Sequence, residues 1–279
     1  MILEENISIE QAYGTITGKM RDYFASCHKS RAVLGLSGGV DSALVAALAV
    51  EALGADNVHG VLMPSQFSSL HSVSDSVDLA DNLGIKYDVV PIEKIYKRFM
   101  LETHSWFELG RWSVAQENLQ ARIRGTILMT YSNRFDALLL NTSNKSELFA
   151  GYGTLYGDMC GAMMVIADLY KTQVYEMCRY INRDNEIIPV SIIEKAPSAE
   201  LRPGQKDTDS LPPYDELDPV LHALHEEGLS ADDVVSRGAS RELVDRILRL
   251  KKASAFKIMQ IPPVIAVGGK PIAPSFKCI

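Results

Sequence analysis

The chain has 279 residues, of which 47% are hydrophobic and 23% are charged, and its formal net charge is −7 at pH 7. This balance is that of a globular protein and excludes disordered and fibrous chains. The negative charge argues against nucleic-acid binding, and no apolar run approaches the roughly 20 residues that a membrane-spanning helix needs. No apolar signal core follows the N-terminus, so we expect a cytoplasmic protein with reduced cysteines.

Predicted helices and strands alternate through the first half of the chain. The patterns predict helices over residues 8–28, 43–53, 72–83 and 117–133, and short strands over 32–36, 58–63, 87–92 and 137–141. The apolar runs of these strands lack polar alternation, which is typical of strands buried on both faces of a parallel sheet. The order therefore predicts an α/β fold, in which helices flank a doubly wound, mostly parallel sheet.

The second half of the chain is less regular. Residues 163–167 are predicted as strand or core, and helices are predicted over 170–181, 231–235 and 240–252. Residues 195–219 hold five prolines among polar residues and are predicted to form a long loop, which is usually a functional type of segment. Because neither a repeat nor a linker is evident, we expect one domain over residues 1–279 with a helical C-terminal portion.

The residues between the first predicted strand and the next helix read Ser-Gly-Gly-Val-Asp-Ser at positions 37–42. Glycines let backbone N–H groups approach an anion closely, and the start of the helix adds its positive end. Hydroxyls at Ser37 and Ser42 can donate to phosphate oxygens. A carboxylate beside phosphates needs a cation between them, so Asp41 predicts Mg²⁺. The P-loop pattern of kinases is absent. The alternative to a phosphate-binding loop is a plain turn that links the strand to the helix.

This loop resembles the pyrophosphate loop of the N-type ATP pyrophosphatases. That family includes NAD synthetases, GMP synthetases, argininosuccinate and asparagine synthetases, and tRNA-thiolating enzymes. Five further segments are similar, in order and spacing, to those of NAD synthetases: Glu-Asn-Leu-Gln-Ala-Arg-Ile-Arg-Gly at 117–125, Asn-Thr-Ser-Asn-Lys-Ser-Glu at 141–147, Gly-Tyr-Gly-Thr-Leu-Tyr-Gly-Asp at 151–158, Leu-Tyr-Lys-Thr-Gln at 169–173 and Pro-Ser-Ala-Glu-Leu-Arg-Pro at 197–203. The resemblance implies an adenine nucleotide α-hydrolase-like fold.

The resemblance also implies a two-step reaction with ATP as co-substrate and Mg²⁺ as cofactor. The carboxylate of nicotinic acid adenine dinucleotide (deamido-NAD) attacks the α-phosphate of ATP, which gives a mixed anhydride with AMP and releases pyrophosphate. Ammonia then attacks the activated carbonyl, and NAD and AMP are the products.

Site residues are implied by the same resemblance. Contacts to ATP and pyrophosphate carry over to Gly35, Ser37, Gly38, Gly39, Val40, Asp41, Ser42, Met63, Thr142, Lys171 and Ser198. Contacts to deamido-NAD carry over to Asn118, Arg122, Glu147, Tyr152, Asp158 and Lys257. The catalytic residues would be Asp41, Asp158 and Lys171, and the Mg²⁺ ligands Asp41 and Glu147. Surface ion pairing is the alternative for Arg122 and Arg124.

Two positions depart from the pattern of the compact ammonia-dependent enzymes, which usually carry Lys and Asp where this chain has Leu155 and Ala162. The surrounding stretch looks more like the synthetase domain of glutamine-dependent NAD synthetases. Their N-terminal glutaminase domain does not fit in the 36 residues before Ser37. We therefore expect free ammonia, or ammonia from a glutaminase domain or subunit outside this chain. The resemblance also implies a homodimer.

Two other interpretations stay open. Another ATP pyrophosphatase, such as a GMP synthetase subunit or a tRNA thiolase, would keep the same loop, although the net charge and the cysteine spacing argue against tRNA as a substrate. A non-catalytic nucleotide-binding module would keep the fold without the reaction. The presence of Asp41, Glu147 and Lys171 argues against that module.

Overall fold

The structure is a computed structural model that describes residues 7–108 and 111–279. Within these residues, five parallel strands form one sheet in the order β3-β2-β1-β4-β5. The strands are β1 (Arg31–Leu36), β2 (Val58–Leu62), β3 (Lys86–Val89), β4 (Ala137–Asn141) and β5 (Met163–Met164). The prediction of a doubly wound parallel sheet is confirmed.

Helices cover both faces of this sheet and form the C-terminal portion. They are α1 (Ile9–Ser26), α2 (Val40–Leu53), α3 (Leu70–Leu83), α4 (Glu93–Glu102), α5 (Val114–Phe135), α6 (Lys145–Ala150), α7 (Lys171–Ile181), α8 (Val190–Glu194), α9 (Tyr214–His225), α10 (Ala231–Ser236) and α11 (Arg241–Ile258). Among the described residues, no helix combines the length and apolar character that crossing a bilayer requires.

The central strand β1 carries hydrophobic side chains to both faces of the sheet. Ala32 and Leu34 pack with α1, α2 and α7, whereas Val33 packs with α4 and α5 on the opposite face. A buried run from Ala43 to Ala49 makes α2 apolar all round, as expected for a helix in the interior. This packing fixes the turn between β1 and α2 at the middle of the sheet.

Two predicted elements differ from the structure. The strand predicted over 87–92 ends at Val89, although the amides of Val90 and Ile92 still donate to the carbonyl oxygens of Leu62 and Pro64, and the unpredicted helix α4 begins at Glu93. The loop predicted over 195–219 ends early, since α9 begins at Tyr214 and contains Pro219. Apolar residues of α9 pack with α6, α10 and α11, and this burial outweighs the proline.

The predicted domain range of 1–279 includes residues 1–6 and 109–110, which lie outside the described residues. The single domain itself stays a prediction. In the C-terminal portion, helices α9, α10 and α11 pack with α6 around Phe149 and Leu217. This cluster positions α6, which follows β4 after residues 142–144 and therefore starts at the carboxyl end of the sheet.

Candidate active site

The carboxyl ends of β1, β2 and β4 open into one cavity of about 280 Å³. Open α/β sheets bind ligands at this edge. Most of the predicted site residues line the cavity, namely Gly35, Ser37, Gly38, Gly39, Val40, Asp41, Ser42, Met63, Thr142, Glu147, Tyr152, Asp158, Lys171 and Ser198. The fold thus brings together predicted residues that are up to 163 positions apart in the chain, from Gly35 to Ser198.

The loop over residues 37–42 is held by its own hydroxyls. The Gly39 amide donates to Ser37 Oγ at 3.2 Å, and Ser42 Oγ donates to the Gly39 carbonyl at 3.0 Å. Gly38 has a φ of +75°, and a Cβ atom there would lie 2.3 Å from the carbonyl oxygen of Ser72. Among the described residues, no side chain caps the N-terminus of α2. Its first N–H groups are thus arranged to receive an anion.

Three charged side chains meet beside this loop. Lys171 Nζ lies 2.5 Å from Asp41 Oδ2 and 3.6 Å from Glu147 Oε1. The Lys171 side chain is only 2% exposed, and both carboxylates are largely buried. Because α2, α6 and α7 each contribute one of the three residues, the cluster exists only in the folded chain.

Asn144 joins the two carboxylates of this cluster, and sequence reasoning missed it. Its Nδ2 donates to Asp41 Oδ1 at 2.9 Å, and its Oδ1 accepts from the Glu147 amide at 3.0 Å. The Glu147 carboxylate in turn accepts from the Asn144 amide at 3.2 Å, which completes a capping box at the start of α6. This box orients Glu147 toward Asp41.

With both carboxylates ionised, the cluster would hold one negative charge in excess. Burial and the Asp41 carboxylate raise the pKa of Glu147 to about 8. Burial alone would lower the pKa of Lys171, but Asp41 and Glu147 raise it above its ordinary value, so the ammonium stays charged. One ammonium cannot neutralise two carboxylates, and a proton or another cation is favoured between them.

Three of the predicted residues, Asn118, Arg122 and Lys257, lie outside the cavity lining. All three instead contact the segment over residues 151–158, which carries Tyr152 and Asp158 into the cavity. Lys257 Nζ donates to the carbonyl oxygens of Gly151 and Gly153 at 2.8 and 2.6 Å, Asn118 Oδ1 accepts from Thr154 Oγ1 at 2.7 Å, and Arg122 Nε donates to the Leu155 carbonyl at 3.2 Å.

The alternative of surface ion pairing is wrong for Arg124, which lines the cavity. Its Nε donates to the carbonyl oxygen of Met63 at 3.1 Å, at the end of β2. Burial lowers the pKa of Arg124 to about 10, although Asp158 and Glu200 oppose this effect. Arg124 lies one helical turn after the buried Gln120, and only the structure shows that this face of α5 points inward.

A segment over residues 196–206, which we call the strap, closes one side of the cavity. The Glu200 carboxylate accepts from Ser69 Oγ at 3.0 Å, Ser72 Oγ at 2.6 Å and Lys195 Nζ at 3.2 Å. Gln120 Nε2 donates to the Leu201 carbonyl at 2.8 Å. Asp207 follows the strap, lines the cavity and accepts from the Tyr152 hydroxyl at 3.2 Å, and sequence reasoning missed it.

A sequence model of the family described as NAD synthase matches residues 12–261. The chain belongs to this NAD synthase family. The glutamine-dependent NAD(+) synthetase of Synechocystis sp. is 49% identical over 261 residues, which cover 94% of this chain and 47% of that protein. The chain thus spans about half the length of the curated relatives it matches, and the resemblance seen in the sequence is confirmed.

Two solved structures of the NAD synthase family are similar to this chain over most of its length. A glutamine-dependent NAD⁺ synthetase from Acinetobacter baumannii, in complex with ADP, has 37% identity and a TM-score of 0.67, and the match covers 96% of this chain and 49% of that one. An NH3-dependent NAD synthetase from Campylobacter jejuni, in complex with nitrate, has 30% identity and a TM-score of 0.73, with 90% and 96% covered.

Proposed function

We propose that this chain converts deamido-NAD to NAD in the cytoplasm, with ATP as the co-substrate and ammonia as the nitrogen donor, and releases AMP and pyrophosphate. One observation carries the proposal: the charged cluster of Asp41, Glu147 and Lys171 lies against the loop over residues 37–42, inside the cavity of an NAD synthase family chain. Such a cluster suits a reaction in which negative charge develops on a departing phosphate group.

In the proposed complex, ATP lies along the carboxyl ends of β1 and β2. The adenine occupies the space beside Gly35 and Met63, where a Cβ on Gly35 would lie 3.2 Å from Met63 Cε. The phosphates lie against the 37–42 loop, with Thr142 and Ser198 as further contacts. The ADP complex of the Acinetobacter baumannii protein supports a nucleotide in this family.

The donor set fits Mg²⁺ bound jointly by protein and phosphates. Among the described residues, no group of three or more His, Cys, Asp or Glu side chains is arranged to hold a metal ion, but Mg²⁺ typically takes one or two carboxylates and completes its shell with phosphates and water. Asp41 and Glu147 are two such carboxylates, and their excess negative charge favours a cation. Bound Mg²⁺ would polarise the phosphoryl oxygens as a Lewis acid.

The chain's own residues divide the chemistry into positioning and charge stabilisation. As the deamido-NAD carboxylate forms its bond to the α-phosphate, negative charge grows on the departing pyrophosphate. The Lys171 ammonium and the N–H groups at the start of α2 stabilise that charge. Ammonia then forms the amide bond, AMP takes the electron pair of the broken anhydride bond, and one proton is released. Asp158 belongs to the segment over residues 151–158 and lines the cavity, and we propose that it lies next to the carbonyl group that ammonia attacks.

The acceptor is positioned by the α5 face and the 151–158 segment. Asn118, Arg122, Tyr152 and Lys257 are the proposed contacts, directly or through that segment. We infer a homodimer and ammonia that is either free or delivered by a glutaminase domain or subunit; both inferences rest on the family resemblance. Neither nucleic acid nor a membrane is a proposed partner.

The test is an endpoint assay for NAD with purified chain, ATP, Mg²⁺ and deamido-NAD, with ammonium in one tube and glutamine in another. NAD is expected with ammonium only. NAD in neither tube, while ATP still binds, would refute the proposal.

A matched pair of buried lysines separates catalysis from stability. Lys145 lies in a second buried cluster, where it pairs with Asp168 and Glu226, away from the cavity lining. Lys171→Met and Lys145→Met each leave two buried carboxylates without their ammonium, which costs about 3–5 kcal/mol. Only Lys171→Met is expected to abolish pyrophosphate release from molecules that remain folded. Equal residual activity in the two variants would contradict the role of Lys171.

A further inference from the structure

Asp218 is a fully buried carboxylate on α9 that lies outside the cavity lining. Its Oδ1 accepts from Ser146 Oγ at 2.6 Å, and its Oδ2 accepts from both the amide and the Oγ1 of Thr172 at 2.9 Å. A carboxylate that gives up hydration costs free energy, and these three bonds offset that cost. The bonds join three helices through one side chain.

The two residues that Asp218 holds are the chain neighbours of two cluster residues. Ser146 precedes Glu147 on α6, and Thr172 follows Lys171 on α7. The Lys171 amide also donates to Ser146 Oγ at 2.9 Å, so the hydroxyl links Asp218 to the backbone of Lys171. The first turns of α6 and α7 are therefore tied at a single point.

We propose that Asp218 is a positioning residue, which fixes the relative placement of α6 and α7 so that Lys171 and Glu147 meet at Asp41. This inference rests on the proposed function for its effect on turnover. Its geometric part, the placement of Lys171, holds independently of the reaction. Asp218 acts through Ser146 and Thr172 and does not touch the substrates.

A carboxylate suits this place better than an amide does. Asp218 accepts all three bonds, whereas the side-chain amide introduced by Asp218→Asn would have one oxygen and one NH₂ group to offer. The NH₂ group cannot accept from the Thr172 amide. If the NH₂ group faces Ser146 instead, the Ser146 hydroxyl loses the oxygen to which it donates its hydrogen. Weakening of either bond shifts one helix start against the other. Loss of such supporting contacts typically costs about 10–100-fold in activity.

The first readout is the chemical reactivity of Lys171, measured by amine-selective labelling and mass spectrometry. Lys19, which lies on α1 and donates to the carbonyl oxygens of Ala266 and Ile279, is the internal reference. In the wild-type chain the Lys171 side chain is only 2% exposed, so its amine is expected to react slowly. If Lys171 moves off Asp41, its amine becomes accessible to the reagent and reacts faster. Labelling therefore reports position, whatever the reaction is.

The second readout is steady-state kinetics on four variants. Asp218→Asn is expected to lower kcat about 10–100-fold without changing KM for deamido-NAD, and to raise Lys171 labelling relative to Lys19. Thr172→Val removes only the hydroxyl bond and is expected to shift both readouts less, whereas Thr172→Ser restores them. Asp75→Asn is the control, since Asp75 is a buried carboxylate on α3 that accepts from Ser191 Oγ of α8 at 2.8 Å.

Wild-type labelling and kcat in a folded Asp218→Asn variant would overturn the proposal, as would equal losses in Thr172→Ser and Thr172→Val or in Asp75→Asn. If Asp218→Asn does not fold, Thr172→Val decides in its place, and unchanged readouts there overturn the proposal. If the wild-type chain makes no NAD, the proposed function fails, while the labelling result still decides the role of Asp218.

Discussion

Replacing Gly38 by alanine perturbs the 37–42 loop at its tightest point. The φ of +75° costs an alanine about 1–2 kcal/mol. Its Cβ atom would also lie 2.3 Å from the carbonyl oxygen and 2.7 Å from the Cα of Ser72, where ordinary contact begins at 3.4 Å. Both are backbone atoms, so the loop must move away from α3 by about 1 Å, and a displacement of that size costs about 10²-fold in rate.

Gly84 provides the matched control for this substitution. It ends α3 with a φ of +66°, and no described atom lies within 4 Å of the position of a Cβ there. Gly84→Ala therefore has a similar backbone cost without the displacement. Thermal unfolding measures stability, calorimetry measures ATP binding, and a coupled assay measures pyrophosphate release. We expect Gly38→Ala alone to lose about 100-fold in kcat/KM for ATP. Equal activity in the two variants would refute the placement of the phosphates at this loop.

Asp41→Asn is expected to abolish pyrophosphate release with an unchanged circular dichroism spectrum, since the amide keeps the shape but not the charge; retained release would contradict the role of Asp41. Lys257→Met removes two bonds to the 151–158 segment and is expected to raise KM for deamido-NAD about tenfold. The control Lys277→Met also loses two carbonyl contacts and is expected to leave KM unchanged. Equal KM values in the two variants would contradict the prediction. Burial lowers the pKa of His225 below 6.5, so the unfolded chain binds more protons and stability falls as pH drops below 6.5. His225→Gln should flatten that fall in urea titrations between about pH 7 and about pH 5, and an equal slope would contradict it.

The central elements of the fold could be predicted because their local and tertiary preferences agree. The apolar run of β1, the apolar helix α2 and the glycines at positions 54 and 84 specify the same structure at every level. The sequence-based prediction was wrong where the local preference of a segment and its tertiary packing conflict. Pro219 lies inside α9 because the surrounding side chains are buried, and burial of this kind leaves no periodic signal inside a proline-rich segment.

The loop over residues 37–42 and its charged neighbours were more predictable than the rest of the cavity. Residues 37–42 form a contiguous motif with its own chemistry, and Lys171 and Glu147 lie in recognisable segments. Asn144 and Asp218 act through contacts between elements that are far apart in the chain, and such contacts have no pattern in one sequence. Arg124 has the pattern of a surface arginine until α5 is seen to turn that face toward the cavity.

The anchors of the strap are polar, which has a consequence for the proposed entry and exit of ligands. Glu200 is held by hydroxyls, an amide and one ammonium rather than by apolar contact. Water can replace each of these partners as the segment lifts, so the cost per bond is on the order of 1 kcal/mol. Salt screens the Lys195–Glu200 pair, so we expect the strap to open more readily as ionic strength rises, on the microsecond-to-millisecond timescale typical of such loops. For the proposed reaction we therefore expect release of AMP, rather than formation of the amide bond, to limit turnover.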